Sequence, residues 1–287
     1  MRLNKVSIKL ILILKMLVLT SLAGCGGNTE ELSIKSLRVV AADNLMDPYS
    51  MVFKGSNEGY VSTSLGLTKF YPESDTPSEL IYPVSEGSPS GVIHFNEGVL
   101  LLDNTNSNLH LLNESYMFEK VLTEGLNDPV SLVSDGEYIY VTDFDLGGEN
   151  SKIFRINSSG IKEVYLDNNV VTGAAGITYS EQMNALFYTD FLNGRLLKID
   201  ENKNQTTIAE GLGAPVDVVE YKGGFLVADF GDFTGGKGRL LFVNDEAGLV
   251  TVTELMTEVN SIVGLKIHMD KVFYTDMLAG SIIELTF

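Results

Sequence analysis

Apolar and polar positions along this chain change over in short runs, without the broad stripes of amphipathic helices. Four runs end in an aspartate: Tyr140-Val141-Thr142-Asp143, Phe187-Tyr188-Thr189-Asp190, Leu226-Val227-Ala228-Asp229 and Phe273-Tyr274-Thr275-Asp276. Asp103, in Leu101-Leu102-Asp103, marks a fifth, and Tyr60-Val61-Ser62-Thr63 is a weaker copy in which Thr63 takes the aspartate's place. Before each marker lies an apolar stretch that opens after a small or proline-containing turn, at 48–53, 89–94, 129–133, 175–179, 215–219 and 262–267. After each comes an alternating tract such as Lys152-Ile153-Phe154-Arg155-Ile156, the pattern of a half-buried strand. A further strand follows at 162–166, 205–209 and 249–255, so the unit predicted is four strands, repeated six times.

Successive markers, from Thr63 through Asp103, Asp143, Asp190 and Asp229 to Asp276, are 40, 40, 47, 39 and 47 positions apart. That period matches one four-stranded propeller blade. The prediction is an all-β, six-bladed β-propeller over residues 33–287. The last copy stops at Phe287 after three strands, and its fourth must come from elsewhere. Residues 37–41, followed by Asp43-Asn44-Leu45, read like the outer-strand endings at 121–126 and 207–212. The N-terminal strand is therefore expected to pair with the last blade and close the ring, which removes open sheet edges. Two packed domains are the rival, but no linker rich in Pro, Ser or Gly interrupts the repeats.

The first 32 residues follow another pattern. Arg2, Lys5 and Lys9 precede an apolar run from Leu10 to Leu22, broken once by Lys15 and closing on small residues. This is the order of a secretory signal, too short and wrongly flanked for a spanning helix. Leu22-Ala23-Gly24-Cys25 resembles the bacterial lipobox, which implies a signal at 1–24, acylation of Cys25 and a small, polar tether at 25–32. Gly26 after the cysteine implies, by the same resemblance, sorting to the outer membrane. The expected localisation is the bacterial cell envelope.

Net charge then narrows the partners. The chain carries −18 overall, and the four bases of the first 24 residues leave 16 bases against 38 acids, or −22, in the remainder. Such a surface repels nucleic acid, whose binding draws on Lys and Arg. Cys25 is the sole cysteine, so an intramolecular disulfide or a cysteine-based metal site is excluded.

The Thr-Asp markers and third strands resemble NHL and YWTD-type six-bladed propellers and, more loosely, the gluconolactonase/regucalcin and streptogramin lyase families. By the YWTD resemblance each marker carboxylate accepts backbone N–H bonds; a ring of carboxylates collecting a cation is the competing reading. The lactonase-like families imply Asn and Asp metal ligands at the head of the inner strands. The corresponding column here is Tyr49, Ser90, Val130, Ala175, Val216 and Val263, which lacks carboxylate and amide oxygens and also the lyase's channel histidines. His94, His110 and His268 share no ligand spacing. No catalytic residue, metal or cofactor is assigned. The next column reads Ser50, Gly91, Ser131, Gly176, Asp217 and Gly264, and its single acid, Asp217, has no evident partner, so it reads as a capping or water-binding group.

The turn between second and third strands is short in the fourth copy, where Gly194 follows Asp190 by four positions. It is longer by four residues between Asp143 and Ser151 and by five between Asp229 and Gly238. These insertions would flank the channel mouth, and they make Asp145, Glu149, Asp232 and Phe233, together with Asp217, the candidate ligand-binding residues. Two functions stand: a membrane-anchored envelope lipoprotein whose propeller binds a protein, peptide or glycan on the loop-bearing face, and a lactonase-like hydrolase or lyase working in the channel. The missing family ligands favour the first.

Overall fold

The computed structural model describes residues 32–43, 45–84, 87–167, 170–231, 237–246 and 248–287. The expected signal, Cys25 and nearly all of the tether lie outside these residues. Within the compact unit Ser33–Phe287 there are six antiparallel four-stranded sheets, and no helix occurs among the described residues. The chain is a six-bladed β-propeller. Five blades run in chain order from inner to outer strand, with inner strands Met51–Lys54, Pro89–Phe95, Pro129–Ser134, Ala174–Ser180 and Pro215–Tyr221. The sixth starts at Ile262–His268 and takes its outer strand, Ser36–Ala41, from the other end of the chain. That strand pairs antiparallel with Ser281–Thr286, placing Val39 opposite Ile283 and Arg38 opposite Glu284, so the predicted closure is present.

The marker strands are apolar on both faces because each is sandwiched between neighbouring blades. In Gly98–Asp103, Val99 and Leu101 pack with Tyr60 and Leu67 of blade 1, while Leu100 and Leu102 pack with Ile139 and Val141 of blade 3. The two-residue period of a strand thus assigns alternate side chains to opposite neighbours. The core is a series of inter-blade layers, and any blade alone would expose two apolar faces.

Polar groups tie the same layers. The hydroxyl before the marker donates to the next inner strand, Thr142 to the Ala175 carbonyl at 2.5 Å and Thr275 to the Tyr49 carbonyl at 2.6 Å. Gly264 permits that approach, since a Cβ there would lie 2.0 Å from the Tyr49 carbonyl oxygen. The marker carboxylates are spent locally. Asp143 accepts the N–H groups of Asn127 and Asp128, Asp229 those of Ala214 and Gly231, and Asp276 that of Ala279. Asp103 accepts from the Asn106 backbone and side chain, and Asp190 from Thr172, Asn193 and Arg195. They face their own turns and do not pool into a cation site. In the weak copy, the Thr63 hydroxyl substitutes by donating to the Gly66 carbonyl.

Blade 5 exceeds its expected size. Its outer hairpin runs through Gly238–Glu246 and Leu249–Val259, beyond the fourth strand predicted at 249–255.

Candidate functional site

The inner strands converge on a cavity of about 510 Å³. Its wall comes from successive positions of those strands, including Ser90, Ile93, Val133, Ile177, Val219 and Leu265. Its rim comes from residues that follow the markers: Phe144, Leu146, Phe191, Phe230 and Met277. Strand starts and second-to-third-strand turns therefore share one face, as the sequence pattern required. Phe144 and Phe191 meet edge to face with centroids 5.8 Å apart, bridging blades 3 and 4. At the rim, Asn104 donates to Asp128 and to the Pro129 carbonyl, the latter at 3.1 Å.

Asp217 lines the wall, and its environment corrects the reading that it lacks a partner. Its Oδ1 accepts the Val218 N–H at 2.9 Å, and its Oδ2 crosses to blade 6 to accept the Leu265 N–H at 2.7 Å. The carboxyl group thus caps two backbone donors and joins two inner strands. A Cβ at Gly176 of blade 4 would sit 2.4 Å from the Asp217 Cα, so the small-residue column is set by close contact between successive inner strands.

Lys266 was not singled out by sequence. It occupies the fifth inner-strand position, where other blades place Ile93, Val133, Thr178 and Val219, and it lines the same cavity. Among the described residues no group accepts a hydrogen bond from its ammonium or forms an ion pair with it. The signal was available: one lysine interrupts a column that is otherwise apolar or hydroxylated. Asp217 and Lys266 are only half-buried by surface area because the cavity admits water, yet protein surrounds both. Burial lowers the Lys266 pKa, with the charge of Asp217 opposing. Burial pushes Asp217 up to about 7, against the lowering effect of its two backbone donors and of Lys266.

A raised carboxyl binds its proton more tightly in the folded than in the unfolded chain. Between the ordinary 3.8 and about 7 the native state therefore holds the extra proton. The stability this confers is complete below that window and is lost as pH rises through about 7. Asp217→Asn, uncharged throughout, is expected to flatten this part of the profile. Thermal melts of the two proteins at pH 5 and pH 8 should show the variant losing fewer degrees; parallel losses would place Asp217 outside the titrating groups.

The remaining candidates separate. Asp145 accepts from the Gly147 N–H at 3.2 Å and the Asn150 N–H at 2.9 Å, so it shapes the inserted loop, while its neighbours Phe144 and Leu146 line the mouth. The Asn150 and Gly147 backbone N–H groups hold its carboxyl below the ordinary value. Glu149 is exposed on the same loop. Asp232 and Phe233 lie outside the described residues. His94 and His268 are engaged with the Phe53 and Gly55 carbonyls at 3.0 and 2.9 Å. Among the described residues, no group of three or more His, Cys, Asp or Glu is placed to hold a metal.

A six-bladed propeller with an apolar, loop-rimmed channel is the class that fold and site define. No protein-family model matches the chain, and no curated protein matches it in sequence. Solved structures match in shape. A chain of the nidogen/laminin complex is 17% identical with a TM-score of 0.64, over 78% of this chain and 87% of its own. Virginiamycin B lyase from Staphylococcus aureus is 12% identical with a TM-score of 0.62, over 88% and 99%. A protein provisionally assigned to the gluconolactonases is 12% identical with a TM-score of 0.65, over 87% and 91%. At such identities the likeness is one of fold, and the fold serves binding proteins and enzymes alike.

Proposed function

We propose that the chain is a membrane-anchored envelope lipoprotein, held through acylated Cys25 and sorted to the outer membrane, whose propeller is a binding module. An apolar side chain of a protein or peptide enters the channel mouth. The observation that carries this reading is the rim. Leu146, on the inserted loop of blade 3, is 73% exposed beside Phe144 and above a wall of aliphatic side chains. An exposed apolar residue at the mouth of a concave, mostly apolar site fits an interaction surface. The lactonase-like alternative needs a bound cation, and among the described residues no group of three or more His, Cys, Asp or Glu is placed to hold one.

Fractionated cells carrying the wild type, Cys25→Ser or the Phe144→Ser/Leu146→Ser double variant, probed with a labelled library of apolar peptides, test both parts. Cys25→Ser should leave the membrane fraction with its peptide binding intact. The rim variant should stay in the membrane and bind roughly 10-fold or more weakly, as expected for the loss of two anchoring side chains. Membrane retention of Cys25→Ser would refute the anchor; undiminished binding by the rim variant would refute the mouth, and preferential capture of glycans would replace the peptide.

A further inference from the structure

The wall of the channel carries one amine for which the binding reading has no use. Lys266 lines a cavity whose other residues are mostly apolar, such as Ile93, Val133 and Val219, with Ser90, Ser131, Thr178 and Asp217 among the polar ones, and no described carboxylate forms an ion pair with its Nζ. Asp217 lines the same cavity from the neighbouring inner strand, held in orientation by the N–H of Leu265, the residue that precedes Lys266. We propose that the channel is a covalent carbonyl-binding site, in which Lys266 forms an imine with an apolar aldehyde or ketone and Asp217 transfers the proton.

The chemistry follows from the surroundings. An ammonium with no protein acceptor in a mostly apolar cavity is less favoured than one in bulk water, and lysines in such settings serve as amine nucleophiles. The charges of Asp217 and Lys266 act on one another without a contact that would make an ion pair the cheaper arrangement. Burial shifts both groups in the direction of their neutral forms, Lys266 downward and Asp217 upward. In the first step the Nζ lone pair bonds to the carbonyl carbon, the C=O pair moves to oxygen, and the proton lost by nitrogen goes to that oxygen, giving a carbinolamine. In the second, the Asp217 carboxyl protonates the hydroxyl, water leaves, and the nitrogen lone pair forms the C=N bond. The products are one water, an iminium cation and the Asp217 carboxylate that balances it.

The ligand class follows from charge and volume. The chain's net charge of −18 discourages anionic ligands, whereas a carbonyl compound is neutral. A cavity of about 510 Å³ suits a small organic molecule. The site is separate from the rim contacts above, and its failure would leave them standing.

Reductive alkylation tests the proposal on the wild-type protein. The full chain, purified in detergent, is treated with hexanal and sodium cyanoborohydride at neutral pH, and modified lysines are mapped by peptide mass spectrometry. Lys266 should be alkylated at least about 10-fold faster than the median lysine, with a rate that levels off below the pH at which the others are still climbing. Asp217→Asn should slow Lys266 by roughly 10-fold or more while leaving the other sites unchanged, the usual worth of a positioned acid. Lys266→Met should remove the fast phase. A Lys266 rate at or below the surface rate, or a pH profile like that of the other lysines, overturns the site; an unchanged rate in Asp217→Asn overturns the role of Asp217. The principal measurement uses the unmutated chain, so a variant that fails to fold does not blunt the test.

Discussion

Deleting residues 33–41 should abolish cooperative folding of the whole propeller, although it removes a single outer strand. The deletion strips Ser281–Thr286 of its partner and turns it into an open edge, an invitation to intermolecular pairing. It uncovers the layer in which Val40 and Ala41 pack with Leu45, Phe273 and Ile282. It also removes Arg38, whose guanidinium lies 2.7 Å from Glu284, a carboxylate only 6% exposed that Lys271 reaches at 3.0 Å. Arg38 itself is largely exposed and Lys271 would remain, so the ion pair is the minor loss and the strand the major one. A domain stabilised by about 5–15 kcal/mol does not survive the loss of one flank of its closing sheet. Urea titration and size-exclusion chromatography should show no cooperative transition and soluble aggregates. A monomeric variant with an unaltered urea midpoint would mean that the ring does not depend on this closure.

Asp190→Ala should be the most damaging single change among the markers. Its carboxylate, fully buried, accepts the Thr172 hydroxyl at 2.8 Å, the Asn193 amide at 2.9 Å and the Arg195 guanidinium at 2.6 Å. Truncation takes the acceptor from the Thr172 hydroxyl, the Asn193 backbone N–H and the Arg195 guanidinium, while the Asn193 amide keeps the Thr172 hydroxyl at 2.7 Å. Breaking a buried, charged network in this way costs about 3–5 kcal/mol, which a shift of the urea midpoint reads directly. Burial raises the Asp190 pKa, but Arg195, Asn193 and Thr172 outweigh it and hold the group below the ordinary carboxylate value. Its contribution is therefore complete above that value and lost as acid titrates through the lower folded pKa, opposite in sign to Asp217. Asp145→Ala, which releases an exposed loop, should cost much less. Equal costs for the two would show that burial of the network does not set its worth.

How far the primary structure spoke differs by residue. The marker strands were legible because a strand sandwiched between blades must be apolar on both faces, and their recurrence supplied the blade count. The closing strand was legible because 37–41 shares its ending with the other outer strands while the last copy lacks one. The inserted loops were legible by length, but the choice of their acidic residues was less informative than their apolar ones. Asp145 satisfies itself within five positions, whereas Phe144 and Leu146 reach the cavity. Lys266 was not legible as a site residue, because it stands three positions beyond Val263, the member of its strand in the column where the resembled families place their ligands.

Local periodicity and turn chemistry, which act over a few residues, were enough by themselves to determine strands, blades, their number and the way the ring closes. What only the tertiary structure decided was which groups meet across blades. Asp217 receives a hydrogen bond from a residue 48 positions away, and Lys266 comes to line a cavity built from all six inner strands. The charge state of a buried group depends on desolvation by everything around it, and that sum exists only once distant segments have been brought together.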